Sequence, residues 1–186
     1  MSSGLFRNPT LWLVGLVLVG IAWLLVLMSE PVKPYLARGD TAPFFRLPSL
    51  GEDTPVDSSR FSGAVTLVNF WATWCKPCEE EMPAMQALYE ALSPDGFSLL
   101  AISVDKSRDD VEAFQERLGL GFPILLDPNQ EISALYQTTG FPESFLVGPD
   151  GRIVERYVGP REWDHPDYVA RVNRLLEGVP KRPPMP

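Results

Sequence analysis

Three rhythms of apolar and polar positions divide this chain. From Leu11 to Met28 (LWLVGLVLVGIAWLLVLM) apolar residues run for 18 positions without a charge. As a helix this spans roughly 27 Å, close to the hydrocarbon thickness of a bilayer. Between residues 44 and 178 the rhythm changes, and short apolar runs alternate with segments whose apolar positions return every three or four residues. Phe44 to Leu50 and Thr54 to Asp57 predict a short hairpin around Gly51-Glu52-Asp53, and Val65 to Phe70 a buried strand. Glu79 to Leu92 is predicted as a helix, with Cys78, Met82, Met85, Leu88, Tyr89 and Leu92 as its apolar stripe and Pro83 as a kink. Phe97 to Val104 (FSLLAISV) reads as a second central strand. Ser107 opens a helix as its cap, with Asp110 three residues on and Val111, Phe114 and Leu118 facing inward. Phe122 to Leu126 predicts a strand and Glu131 to Gln137 a short helix. Ser144 to Val147 and Arg152 to Val158 flank a Pro149-Asp150-Gly151 turn, which predicts an antiparallel hairpin. Pro166 to Leu176 predicts a closing helix. A βαβ unit followed by a hairpin and a helix implies an α/β sandwich around one mixed sheet.

The third rhythm is that of proline. Ser29 to Pro43 holds Pro31, Pro34 and Pro43 with little periodicity, which predicts a spacer reaching at most about 45 Å. Val179 to Pro186 (VPKRPPMP) is too rich in proline to pack and is expected to fray. The expected organisation is a cytoplasmic stub over residues 1–10, a membrane anchor over 11–28, a linker over 29–43, one folded domain over 44–178 and a disordered tail over 179–186. A cleaved signal peptide would carry a shorter apolar core and a small-residue cleavage site, and Met28-Ser29-Glu30-Pro31 offers none. The short N-terminal stub favours staying inside, which puts the folded domain on the extracytoplasmic side of the inner membrane as a single-pass protein.

Charge narrows the partners. The net charge is −8, only Arg7 of the 16 basic residues precedes the apolar run, and all 24 acidic residues follow it. A surface of this sign repels phosphate backbones, so no nucleic-acid partner is expected.

The chemistry is concentrated in Cys75-Lys76-Pro77-Cys78, set where the strand ending at Phe70 gives way to a helix. A thiol at that junction lies near unpaired backbone N–H groups and the positive end of the helix dipole, which favour thiolate. Lys76 adds positive charge beside it, and Pro77 stiffens the loop. The two-residue spacing lets the second sulfur attack a mixed disulfide on the first. Zinc needs about four ligands, and the chain has 2 cysteines and 1 histidine, His165. A c-type haem site would read CxxCH, whereas Glu79 follows Cys78. No metal or cofactor is expected beyond a redox-active Cys75–Cys78 disulfide. His165 itself reads as a surface or capping residue.

Glu81 falls inside the apolar stripe one turn after Cys78, while Glu79 and Glu80 point away and complement the helix N-terminus. Desolvation should raise the Glu81 pKa and let it exchange a proton with Cys78. Trp71 reads as core, and Trp74 as an apolar rim beside Cys75.

Ala42-Pro43-Phe44, Val68-Asn69-Phe70-Trp71-Ala72-Thr73-Trp74-Cys75-Lys76-Pro77-Cys78, Glu81-Met82-Pro83 and Gly140-Phe141-Pro142-Glu143-Ser144-Phe145-Leu146-Val147, with Asp150-Gly151 after them, resemble the membrane-anchored TlpA/ResA-like thioredoxin reductants over residues 40 to 178. The resemblance implies a thioredoxin-like fold with Cys75 as exposed nucleophile and Cys78 as buried resolving thiol. It also implies a cis Pro142 opposite the thiols and a Phe141 backbone that pairs with an extended client, so that Trp74, Phe141, Pro142 and Glu143 form the substrate-binding set. Cytosolic thioredoxins carry an Asp where this chain has Asn69, which moves the acid–base duty toward Glu81. Glu143 is more like the cytochrome c maturation (CcmG-like) branch. The implied function is an extracytoplasmic thiol–disulfide oxidoreductase that reduces the CxxCH disulfide of apocytochrome c, with electrons from a membrane thiol carrier. The alternatives are another client, such as a metal chaperone or an envelope protein, a non-enzymatic binding domain with a vestigial bridge, or a thiol peroxidase. The last would want a Pro-x-x-x-Thr-x-x-Cys setting that residues 69–75 do not supply.

Overall fold

The computed structural model describes residues 9–28 and 35–179, without the side chains at 9, 11 and 26–28. The expected tail from residue 180, the linker over 29–34 and the stub before Pro9 lie outside the described residues. The chain divides into two compact units, one ending at Tyr35 and one beginning at Leu36.

In the first unit, helix α1 (Pro9–Met28) is 20 residues long and uncharged. Trp12, Leu16, Val19 and Trp23 are each more than half exposed, so no face of the helix is polar. Among the described residues no helix is long and apolar enough to cross a membrane.

The second unit is an α/β sandwich. Its strands are β1 (Arg46–Leu47), β2 (Val56–Asp57), β3 (Val65–Trp71), β4 (Phe97–Ser103), β5 (Ile124–Leu126), β6 (Glu143–Val147) and β7 (Ile153–Val158). Its helices are α2 (Lys76–Leu92), α3 (Arg108–Leu118), α4 (Glu131–Leu135) and α5 (Pro166–Leu176). The central sheet runs β5-β4-β3-β6-β7, parallel across β5, β4 and β3 and antiparallel across β3, β6 and β7. β3 is buried along its whole length, as expected of a central strand covered on both faces.

Alternation along the strands sorts the core into two halves. Leu67, Trp71, Leu99 and Leu146 face Met82, Met85 and Leu88 of α2, Phe114 of α3 and Val172 of α5. Val68, Phe70, Leu100, Phe145 and Val147 face Leu47, Val56 and Phe61 of the N-terminal hairpin region and Ile132 and Tyr136 near α4.

Three details differ from the sequence reading. Helix α2 begins at Lys76, inside the CxxC motif, because Cys75 serves as its cap, and it continues as one helix through Pro83. The N-terminal hairpin pairs over only two residues, Arg46↔Asp57 and Leu47↔Val56, because Pro48 and Pro55 flank that pairing and donate no N–H. Between β1 and β2 the chain turns to β5 instead, with the Leu50 N–H donating to the Ile124 carbonyl (2.9 Å) and the Leu126 N–H to the Pro48 carbonyl (2.9 Å). The expected linker over 29–43 is also shorter than drawn. Leu36 and Ala42 pack on the second half-core, and the Gly39 N–H donates to the Ile153 carbonyl while the Ile153 N–H donates to that of Asp40, both at 2.8 Å.

Candidate active site

Strand β3 delivers the chain to the site and α2 carries it away. The turn between them is tied to the end of β4. One carboxylate oxygen of Asp105 accepts the Thr73 N–H and the Ser103 hydroxyl, and the other accepts the Thr73 hydroxyl, each at 2.8 Å. The Cys75 N–H donates to the Ala72 carbonyl at 3.2 Å. Cys75 thus reaches the first turn of α2 in an extended conformation, and its Sγ accepts the Cys78 N–H at 3.3 Å. Pro77 in that turn has no N–H to leave unpaired. The sulfurs are joined in a disulfide, with the two Cα atoms 5.2 Å apart. In the dithiol state the same cap geometry, with a helix dipole behind it, stabilises negative charge on Cys75.

The resemblance implied an exposed Cys75. In the structure Cys75 is 6% exposed and Cys78 not at all. The order is as expected, but the outer sulfur is reached only through a small opening. Trp74 stands beside it, 68% exposed. Its ring meets that of half-buried Phe141 edge-on, with centroids 6.1 Å apart. The Phe141–Pro142 peptide bond is cis, Pro142 is buried, and its carbonyl accepts the Gly159 N–H at 2.9 Å. Trp74 and Phe141 are therefore gathered on one rim beside the disulfide.

Glu81 lies under the thiol helix and is 3% exposed. One oxygen accepts Asn69 Nδ2 at 2.9 Å. The other accepts the Arg161 backbone N–H at 3.1 Å and Trp163 Nε1 at 3.2 Å. Asn69 Nδ2 also donates to Ser144 Oγ at 2.9 Å, so β3 and β6 together hold the amide in place. Taking a carboxylate out of water costs several kcal/mol, and each hydrogen bond to its charged form returns roughly 1.5–3 kcal/mol. The two nearly balance. Burial pushes the carboxyl up to about 7, against the Arg161 amide, Asn69, Trp163 and the Arg161 charge, all of which favour ionisation. A group so placed gains and loses a proton near neutrality.

Glu143 does not join this set. Along β6, Ser144 and Leu146 face α2, which puts Glu143 on the opposite face of the sheet with Phe145 and Val147. It is fully buried, ion-paired with Arg156, and accepts the Thr139 N–H (2.8 Å) and hydroxyl (3.2 Å). Arg156 in turn donates to the Gln137 carbonyl at 2.9 Å. Glu143 therefore braces the loop leading to Phe141 and has no surface to offer a client, which corrects its place in the substrate-binding set.

The remaining candidates are structural. Glu79 accepts Arg117 of α3 at 2.7 Å, and that bond holds its carboxyl below the usual range, so it links two helices rather than merely facing the dipole. Glu80 is exposed. Trp71 is fully buried against Phe114. His165 caps α5, accepting the Asp167 N–H at 3.3 Å. The sequence reading missed Arg161 and Trp163 as partners of the carboxylate, Ser144 as the partner that holds Asn69, and Thr73 and Asp105 as the tie behind the thiols. Only Asn69 carried a signal, as a polar residue amid an apolar strand.

Comparison with known proteins agrees with this geometry. Residues 38–156 match the AhpC/TSA family. The thiol-disulfide oxidoreductase ResA of Bacillus thuringiensis (strain Al Hakam) is 37% identical over 127 residues, covering 68% of this chain and 73% of that protein. ResA of Bacillus subtilis (strain 168) is 32% identical over 130 residues, covering 68% and 70%. The crystal structure of StoA from Bacillus subtilis superposes with a TM-score of 0.58 at 27% identity, over 73% of this chain and 96% of that one. A thiol:disulfide interchange protein of the thioredoxin family from Chlorobium tepidum TLS gives 0.62 at 28% identity, over 77% and 97%. The fold shared with these enzymes and the thiol pair at its strand-to-helix junction lead to one assignment: the chain belongs to the AhpC/TSA family and is a thiol-disulfide oxidoreductase of thioredoxin-like fold.

Proposed function

We propose that the enzyme works as a reductant tethered to the outer side of the cytoplasmic membrane, and that its client is the CxxCH disulfide of apocytochrome c. The observation that carries the chemistry is the buried Glu81 carboxylate, held by hydrogen-bond donors one turn beyond Cys78 on the helix that Cys75 caps. The Cys75 thiolate attacks one client sulfur, forming a mixed disulfide and releasing the other client sulfur as a thiolate. Glu81 takes the proton from Cys78, whose thiolate then attacks Cys75 Sγ. The client sulfur bound to Cys75 then leaves as a thiolate and the Cys75–Cys78 disulfide closes. Two electrons pass to the client. A membrane thiol carrier returns them by the reverse sequence, and no cofactor beyond the disulfide takes part.

The tether is supported by α1, whose side chains leave no polar face, and by an 18-residue uncharged run that matches a bilayer. The client is supported by need, because haem attaches only to reduced cysteines in a compartment that oxidises them. Deletion should lower covalently haem-bearing c-type cytochromes, and an added small thiol should restore them. Normal levels in a strain without a second such reductant would remove this client. Residues Trp74 and Phe141 offer an apolar rim that fits other disulfide proteins equally, so a metal chaperone or envelope protein is the second reading. Partners trapped by Cys78→Ser as mixed disulfides through Cys75 decide between them.

A further inference from the structure

Trp163 belongs to no regular element. It lies on the segment between β7 and α5, yet only 2% of it is exposed. Its ring is gripped by Tyr157 and Tyr168, each with centroids 5.2 Å away. Its Nε1–H donates to Glu81 at 3.2 Å, on the same oxygen that accepts the Arg161 N–H. The Arg161 guanidinium holds the segment in shape by donating to the carbonyls of Val158 (3.1 Å), Gly159 (3.2 Å) and Pro160 (2.7 Å). The groups facing the carboxylate are thus Asn69 from β3, with Ser144 of β6 behind it, and Arg161 and Trp163 from this segment, while Cys78 precedes Glu81 by one turn on α2. Of these Arg161 carries the full charge, and Trp163 contributes a donor whose ring is fixed on both sides.

We propose that Trp163 is a positioning residue for thiol–disulfide exchange: its indole N–H orients the Glu81 carboxylate and favours the ionised form, so the segment between β7 and α5 governs the pH dependence of the thiols. The inference rests on Glu81 titrating together with the exchange reaction. Removing one hydrogen bond to a charged group should move that titration upward by about one pH unit.

The test uses the full chain in mild detergent, reduced, with iodoacetamide alkylation followed from pH 4 to 9. Trp163→Phe keeps the ring and loses the donor, and its Glu81-linked inflection should lie higher than in the wild type. Tyr168→Phe should leave the inflection in place. Glu81→Gln should abolish it, and adding Trp163→Phe to Glu81→Gln should change nothing more. An inflection that survives Glu81→Gln overturns the reading of Glu81 itself. An inflection lost in Glu81→Gln but unmoved in Trp163→Phe overturns the role of Trp163 alone. Should Trp163→Phe fail to fold, the Trp163 indole N–H resonance of the wild type decides. It should shift with pH along the same inflection and stay flat in Glu81→Gln, and a flat wild-type resonance overturns the proposal.

Discussion

Two buried glutamates sit on opposite faces of one sheet, and their surroundings assign them opposite work. Glu81, on the thiol face, is satisfied by an amide side chain, an indole and a backbone N–H, all without formal charge. Glu143, on the other face, meets the full charge of Arg156 as well as both donors of Thr139. Dipolar donors compensate a buried charge only in part, so Glu81 is left near the balance point where a proton is easily exchanged. An ion pair ties the carboxylate to one partner and makes it a brace. Burial alone therefore does not decide whether a carboxyl exchanges a proton near neutrality; the kind of partner does.

The comparison breaks most visibly at Glu143. Glu143→Gln leaves the Arg156 guanidinium largely buried without its counter-ion and should cost about 3–5 kcal/mol in denaturant unfolding. A loss under about 1 kcal/mol would place the pair with ordinary surface bridges. Glu81→Gln should do the reverse, slowing disulfide exchange at neutral pH by about a hundredfold while changing stability by less than about 1 kcal/mol at pH 5, where the buried carboxyl is protonated and resembles the amide. Equal rate losses from Glu81→Gln and Glu80→Gln would return Glu81 to a helix-dipole role.

The pH dependence of stability sharpens the contrast further. The Glu81 pKa is raised on folding from 4.5 to about 7, so the folded state binds the extra proton. Its contribution is full below pH 4.5 and is lost as pH rises through 7, up to about 3 kcal/mol. With the disulfide closed the cysteines do not titrate, so the difference between wild type and Glu81→Gln isolates this slope in denaturant unfolding at pH 5 and pH 8. A difference that grows in the wild type's favour toward pH 8 would reverse the assignment. The smallest effect belongs to the rim. Trp74→Ala should raise KM for a protein disulfide several-fold while stability moves by less than about 0.5 kcal/mol.

How much of this was legible depended on whether the signal was local. The thiol pair, its strand and its helix could be read from a dozen residues, and Glu81 from helical spacing alone. Spacing in strands could also have corrected Glu143, since Phe145 and Val147 share its face and are apolar, but the resemblance carried it to the client side instead. Residues 36–43 looked like spacer because their ties to β7 run through the backbone, which leaves no mark in side-chain pattern. Trp163 and Arg161 sit on an aperiodic segment some 80 residues from Glu81, and no local rule links such positions.

The small opening at Cys75 constrains how turnover is ordered. Displacement at sulfur requires the incoming thiolate to approach in line with the bond that breaks. Cys78 is fully covered and Cys75 keeps only a small exposed area next to exposed Trp74, so an attacking thiolate reaches the disulfide at Cys75. A thiol that reduces this disulfide would therefore enter by the same door through which the dithiol form meets a disulfide. The two cannot occupy it together, so the enzyme forms no ternary complex and alternates between two half-reactions. Steady-state rates against client at several donor concentrations should give parallel double-reciprocal lines, and each partner in excess should compete with the other for the wrong redox form.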